Sequence, residues 1–367
     1  MRKTIFILSV FTLIYSNGLR ERYKIAGKNK REIKKALKSI PTKYSDGMEW
    51  LLLHMPKEDL KTLSSEFLIN NVTLAYESLN KTSWKDKIPQ NIFFNYILPY
   101  ANLNERREAW RVDFREKFNY LIENSKSPYE ATAILNNTIF TELGVKYSTK
   151  RKKADQSPKE TIETGLASCT GLSILLIDIC RSLGIPARFV GTSMWYNDSG
   201  NHSWVEIWDG EWYFTGAAEP TKNKLNEGWF TLNASKATEG DQKYGIYAST
   251  WSKSESYFPM NWLPGLKTYN AIDVTKRYKV LDQSKNLMPV QIRIVDQDGN
   301  RISEEVIIIG ENDFQMKKNS KDSTFDTNDH LTVNLLLGKT YEISSGGSSC
   351  QVKIAKENSL DLVVKNR

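Results

Sequence analysis

Gly165-Leu-Ala-Ser-Cys169-Thr-Gly-Leu-Ser-Ile-Leu-Leu-Ile-Asp-Ile-Cys180-Arg-Ser-Leu-Gly184-Ile-Pro186, followed by Asn201-His202-Ser-Trp204-Val-Glu206-Ile-Trp208-Asp209-Gly210-Glu-Trp212, decides how this chain folds. Thr170 to Leu183 is apolar almost all round, the mark of a buried helix. Gly184 and Pro186 stop it, and Gly165 breaks the chain ahead of it. Cys169 therefore falls in the first turn. Unpaired backbone N–H groups and the positive end of the helix dipole favour an anion there. The same groups can hold an oxyanion. Cys180, deep within the helix, reads as a packing residue.

The second half of the stretch alternates. His202, Trp204 and Glu206 share one face of a strand, and Ser203, Val205 and Ile207 take the other. Asp209-Gly210 is a hairpin signal, and Ile185 to Val190 reads as the preceding strand. A helix with a thiol at its tip, packed on a hairpin that carries an imidazole, suits nucleophilic catalysis: the base takes the thiol proton and a third group orients the base. The chain has two other histidines. His54, in Trp50-Leu-Leu-Leu-His-Met-Pro, reads as a helix-end packing residue, and His330 lies in a polar loop.

Cys169-Thr-Gly-Leu, Arg181-Ser-Leu-Gly-Ile-Pro-Ala-Arg188, His202-x-Trp204-x-Glu206 and Trp212 together resemble the transglutaminase-like superfamily over about residues 130–230. That family is a papain-like Cys–His–Asp fold that includes crosslinking transglutaminases, bacterial cysteine peptidases and peptide:N-glycanases. The resemblance implies Cys169 as nucleophile and His202 as general base and acid. The third member departs from the pattern. The family's acid follows the hairpin tryptophan by about four positions, and Gly216 stands there. Glu219 is the nearest carboxylate downstream and can reach the imidazole if the strand ends or bulges at Gly216. Glu206, two residues from His202 on its face, is the alternative, and Asp209 reads as a turn residue. Trp204 shares the site face.

At 367 residues the chain holds two or three domains, with a formal net charge of +8. The densest basic run, Lys150 to Lys153, reads as a solvated loop, and no basic run is interleaved with stacking aromatics, so nucleic acid is not an expected partner. Arg2-Lys3, the apolar run Thr4 to Tyr15, and Ser16 and Gly18 read as a signal peptide over 1–18, predicting export to the periplasm or the exterior. Three cysteines, with Cys169 and Cys180 about 16 Å apart by helical rise, do not make a disulfide scaffold.

The expected class is α+β: a helical region over 19–128, a papain/transglutaminase-like core over 129–280 with its helix on an antiparallel sheet, and a small β-sandwich over 286–367. Within the helical region, Asn104-Glu105 is expected to start a long helix through Trp110 and Phe114 to Ile122, and Ser127-Pro128 and Ser157-Pro158 to start others. Strands are expected at Val290–Val295, Val306–Ile309, Leu331–Leu337, Tyr341–Ser344, Cys350–Ile354 and Leu360–Val364. This last module resembles the immunoglobulin-like or carboxypeptidase-regulatory-like accessories of secreted enzymes, which implies contact with a surface or carbohydrate. No metal, nucleotide or flavin pattern is present, so no cofactor is expected. The calcium of some crosslinking transglutaminases has no acidic loop here.

The function expected is an exported cysteine-dependent enzyme working on amide bonds of peptide or protein substrates through an acyl-enzyme, with Cys169, His202 and Glu219 as catalytic residues. Water as acceptor makes it a peptidase or amidase, and an amine makes it an acyl transferase. The alternatives are peptide:N-glycanase-like deglycosylation and a transglutaminase-fold binding module that has lost its acid.

Overall fold

The computed structural model describes residues 18–279, 287–311, 314–355 and the backbone of 361–365. Apart from Gly18, the expected signal peptide lies outside these residues. Among them no helix is long and apolar enough to cross a membrane.

The N-terminal third is helical. A helix at 18–26 is followed by Lys30–Ser39, Ser45–His54, Lys57–Thr62 and α1, Ser65–Asn80. The periodicity over Asp46 to Leu79 thus resolves into three helices, broken at Pro56 and at Ser64, whose hydroxyl caps the amide of Phe67. Their apolar faces meet in a core of Ile33, Met48, Leu51, Leu60, Leu68 and Val72.

The helix expected from Asn104 begins later, at α2, Arg111–Ile122. The reason is local. The Glu105 carboxylate accepts from the amides of Asn102 and Leu103, which holds 102–105 as a loop. Arg111 donates to the carbonyls of Ile97, Leu98 and Pro99, and so ties the segment ahead of that loop to the helix start. Helix α3, Pro128–Leu143, follows its Ser127 cap and ends at Gly144 in the left-handed region. Helix α4, Pro158–Thr164, carries the full Ser157/Glu160 capping box.

Helix α5, Cys169–Ser182, is the hub. It packs between α2, α3 and a six-stranded antiparallel sheet. The strands are β1 (Ala187–Thr192), β2 (His202–Asp209), β3 (Glu211–Thr215), β4 (Tyr247–Ser249), β5 (Ser256–Tyr257) and β6 (Asn270–Asp273), in the order β3-β2-β1-β4-β6-β5. The β1–β2 register sets Thr192 opposite His202 and Arg188 opposite Glu206. The core around α5 takes in Trp110, Phe114, Phe118 and Ile122 from ahead of residue 129, together with Val205 and Ile207 from β2. On the other face of the sheet, Val190, Trp204 and Phe214 pack with Trp195, Phe230 and Tyr278.

The C-terminal part is two sheets around one apolar core. Strands β7 (Leu287–Val295), β10 (Leu331–Leu336) and β13 (Asp361–Lys365) form one, in the order β10-β7-β13. Strands β8 (Glu305–Ile309), β9 (Gln315–Asn319), β11 (Thr340–Ser345) and β12 (Ser348–Lys353) form the other, in the order β9-β8-β11-β12. Val290, Ile292, Val306, Ile308, Val333 and Ile343 fill the space between. Among the described residues, six of the seven strands fall where the alternation placed them. The seventh, β9, has the polar sequence Gln-Met-Lys-Lys-Asn and lies exposed at a sheet edge, where no buried face imposes a period.

Candidate active site

Ser168 is the N-cap of α5: its hydroxyl accepts from the amide of Gly171 at 3.1 Å and donates to the carbonyl of Ala154 at 2.6 Å. Cys169 is the first helical residue, half-buried and unpaired. His202 is the first residue of β2. The helix packs on the Val205/Ile207 face of that strand, whereas His202 points to the Trp204 layer. Thiol and imidazole meet because each stands at the end of its element, not because one packs over the other.

The imidazole is 1 % exposed. Four aromatic rings surround it: Trp229 at 4.7 Å, Phe230 at 5.0 Å, Trp204 at 5.9 Å and Trp195 at 6.4 Å between centroids. Two carboxylates approach its two nitrogens. Glu219 Oε2 lies 3.5 Å from Nε2, and Asp326 Oδ2 lies 3.9 Å from Nδ1. These are ion-pair distances, and neither ring nitrogen closes a hydrogen bond in this geometry; catalytic hydrogen bonds are often this long before substrate arrives. Burial opposes the imidazolium, but Glu219 and the nearby Cys169 outweigh it and hold His202 well above the ordinary imidazole range.

Glu219 reaches the ring through a specific backbone device. Strand β3 ends at Thr215, and the amide of Glu219 returns to the carbonyl of Gly216 at 3.1 Å. Ala218 takes φ +63°, the left-handed region that a residue with a Cβ occupies at a cost. Asn136, buried on α3, clamps the turn: its amide group donates to Thr215 Oγ1 and Gly216 O, both at 2.9 Å, and its oxygen accepts from the Ala218 amide at 3.0 Å. The indole of Trp229 donates to Glu219 Oε2 at 2.9 Å. A Cβ on Gly216 would lie 2.0 Å from Glu219 Oε2. The carboxylate of residue 219 thus fills the space that a side chain at 216 would take.

The other acid singled out in the sequence is engaged elsewhere. Glu206 is fully buried and bonds Arg188 at 2.7 Å and the Tyr278 hydroxyl at 2.8 Å, with Arg277 at 3.3 Å. It ties β1, β2 and the last helix of the core together and makes no contact with His202. Trp204 backs the imidazole and donates to Tyr278 at 2.7 Å. Asp209 holds the hairpin turn and accepts from the Tyr129 amide at the start of α3. His54 stacks on Trp50 and bonds its carbonyl. His330 faces Arg301, and burial pushes it down to about 3.

Asp326 was not singled out by the sequence. It belongs to the loop between β9 and β10 of the C-terminal sandwich, and nothing in Asp322-Ser-Thr-Phe-Asp326-Thr-Asn-Asp329 distinguishes it from a turn acid. Sγ of Cys169, a ring nitrogen of His202 and a carboxylate oxygen of Asp326 lie within 4.8 Å of one another. Thiolate, imidazole and carboxylate are a donor set that suits a zinc-like ion. They equally make a cysteine–histidine–acid site. Asn136 was also missed; the only trace was one of two polar residues, with Thr132, on the buried face of α3.

Residues 116–234 match the family model of the transglutaminase-like superfamily core. An uncharacterized protein of Bacillus subtilis, YebA, is 30% identical over 196 residues, which is 47% of this chain and 26% of that protein. The chain thus spans about a quarter of that relative's length. A solved structure put forward as a cysteine protease of Cytophaga hutchinsonii is 21% identical with a TM-score of 0.28, over 35% of this chain and 44% of that one. Red sea bream transglutaminase is 9% identical with a TM-score of 0.28, over 78% of this chain and 59% of that one.

Proposed function

We propose that this chain, with its transglutaminase-like domain at 116–234, is a cysteine enzyme that opens amide bonds of peptide or protein substrates through an acyl-enzyme on Cys169. The observation that carries the reading is the junction of Cys169 at the tip of α5 with His202 at the start of β2, with Glu219 held on the far side of the imidazole.

The chemistry follows from that arrangement. His202 takes the thiol proton, and sulfur attacks the substrate carbonyl carbon. The oxyanion forms beside the first-turn N–H groups of α5, where the helix dipole favours negative charge. His202 then returns the proton to the leaving amine as the C–N bond breaks, leaving a thioester. Water, deprotonated by the same imidazole, releases the acid. Glu219 keeps the imidazolium oriented through both steps, with Trp229 and Asn136 holding the acid in place. We favour water over an amine as acceptor. Export rests on the leader read at 1–18, and the C-terminal sandwich adds a surface contact.

The test is an acyl donor small enough to enter a covered site. Incubation with p-nitrophenyl acetate should leave an acetyl group on Cys169, seen by mass spectrometry of the intact protein and its peptides. Cys169→Ala should abolish it, and His202→Ala should slow it by about a thousandfold or more. Acetylation spread evenly over the three cysteines, or unaffected by His202→Ala, would sink the reading.

A further inference from the structure

We infer that the loop 321–330 of the C-terminal sandwich is a built-in occupant of the acyl-donor position, which makes the folded chain latent. This rests on the reading of Cys169 and His202 as nucleophile and base.

The imidazole has two nitrogens, and a catalytic triad uses one for the acid and one for the thiol. Glu219 holds Nε2. Asp326 faces Nδ1, and it is Asp326, not Glu219, that groups with the Cys169 sulfur. Asp326 therefore stands on the nucleophile's side of the ring, where a scissile carbonyl has to arrive. A carboxylate is a poor electrophile, so it can rest there without being consumed. It is also the group that hydrolysis of an acyl-enzyme leaves behind. The loop places a product-like carboxylate on the site, permanently attached to the chain.

The loop is built for that position. Arg301, at the far end of the β7 hairpin, reaches the carbonyls of Asp322, Phe325, Asp326, Thr327 and Asp329 at 2.8–3.5 Å. The Asn328 amide donates to Asp326 Oδ1 at 2.9 Å, which leaves Oδ2 toward the imidazole. Lys321 pairs with Asp329 at the base of the loop. The tip then docks on the core. Asn328 Nδ2 donates to the carbonyl of Asn201, next to His202, at 2.7 Å, and Thr327 meets the Tyr147 hydroxyl. The fit is close: Gly200 takes φ +131°, and a Cβ there would lie 2.3 Å from Asn328 Oδ1. Asp326 is 4% exposed and His202 is 1% exposed, so the imidazole is covered while the loop is seated, and only the half-buried Cys169 keeps a path to solvent. Burial, with Glu219 nearby, also raises the Asp326 carboxyl against the pull of His202.

The test uses the full-length chain and iodoacetamide, with each cysteine followed by mass spectrometry. Asp326→Ala removes the occupant. Asn328→Ala keeps it but loosens the dock at Asn201. Each should speed alkylation of Cys169 by about tenfold or more, with Cys350 unchanged and Cys180, buried in α5, still protected as a check on folding. Faster labelling that His202→Ala reverses in the Asp326→Ala background supports the proposal. If His202 controls the rate but neither loop variant raises it, the loop is no plug, and latency is overturned while the enzyme reading stands. If the loop variants speed labelling and His202→Ala changes nothing, the thiol beneath is an ordinary one, and both readings fall.

Discussion

His202 holds a proton more tightly than burial alone would allow. Burial among four rings disfavours imidazolium, and the Glu219 carboxylate reverses the balance. The linkage sign follows. A histidine raised above its unfolded value of 6.5 contributes stability that is fully present below that value. The contribution is lost as pH rises through the higher folded value. Histidine-selective NMR should show one imidazole titrating well above the ordinary range, with His54 and His330 both below it, since burial lowers each of them. Glu219→Gln should bring the His202 titration down and leave the other two in place. An unmoved His202 would mean that Glu219 is not its partner. The same residues show what a sequence can disclose. Cys169 was legible because a helix start is written locally, in Gly165 before it and the apolar run after. Glu219 was legible only as the next acid along. What selects it is the space at Gly216 and the clamps from Asn136 and Trp229, which are contacts distant in sequence.

Helix α5 depends on its two ends as much as on its apolar length. At the start, Ser168 caps the turn that presents Cys169. At the finish, Gly184 takes φ +74°, and a Cβ there would lie 2.9 Å from the backbone of Leu79 and Ser78 in α1. The Trp84 indole bonds the Gly184 carbonyl at 2.9 Å in the same crowded place. Gly184→Ala should therefore cost about 2 kcal/mol or more, seen as a lower denaturation midpoint with unchanged cooperativity. A cost of a few tenths would show that the two helices can move apart. Periodicity disclosed the helices that have one face in a core, and alternation disclosed the strands that have one face in the sandwich. Both failed where a side chain, not a pattern, sets the backbone. Glu105 holds 102–105 out of a helix by binding two amides, and β9 has no buried face to leave a trace.

At the scale of the molecule, the acid that meets the thiol comes from the C-terminal sandwich, about 160 residues away by number and invisible to any local motif. The loop that brings it carries its own response to pH. Burial pushes Asp329 up to about 7 in spite of its pairing with Lys321; Glu219 adds to the rise and His202 opposes it. A carboxyl raised in the folded state contributes stability at low pH and loses it as pH climbs through the folded value. The thermal unfolding midpoint should therefore fall between about pH 4 and pH 7, and Asp329→Asn should flatten that fall. An identical slope in the variant would show that Asp329 is not the responsible group.

Arg301 gives the loop a further property. Five carbonyls gathered on one guanidinium brace the tip from within its own sandwich, independently of its contacts to the core. The entropy cost of ordering it is met when the sandwich folds, so docking does not bear it again. A preorganised ligand on the same chain competes at an effective concentration on the order of millimolar. A free carboxylate product binding more weakly than that cannot keep the cleft, so release of product and return of the loop coincide. A peptide displaces the loop only when its contacts beyond the scissile bond outweigh that tethered competitor, which makes the reach of the substrate, and not the bond it offers, the quantity that selects it.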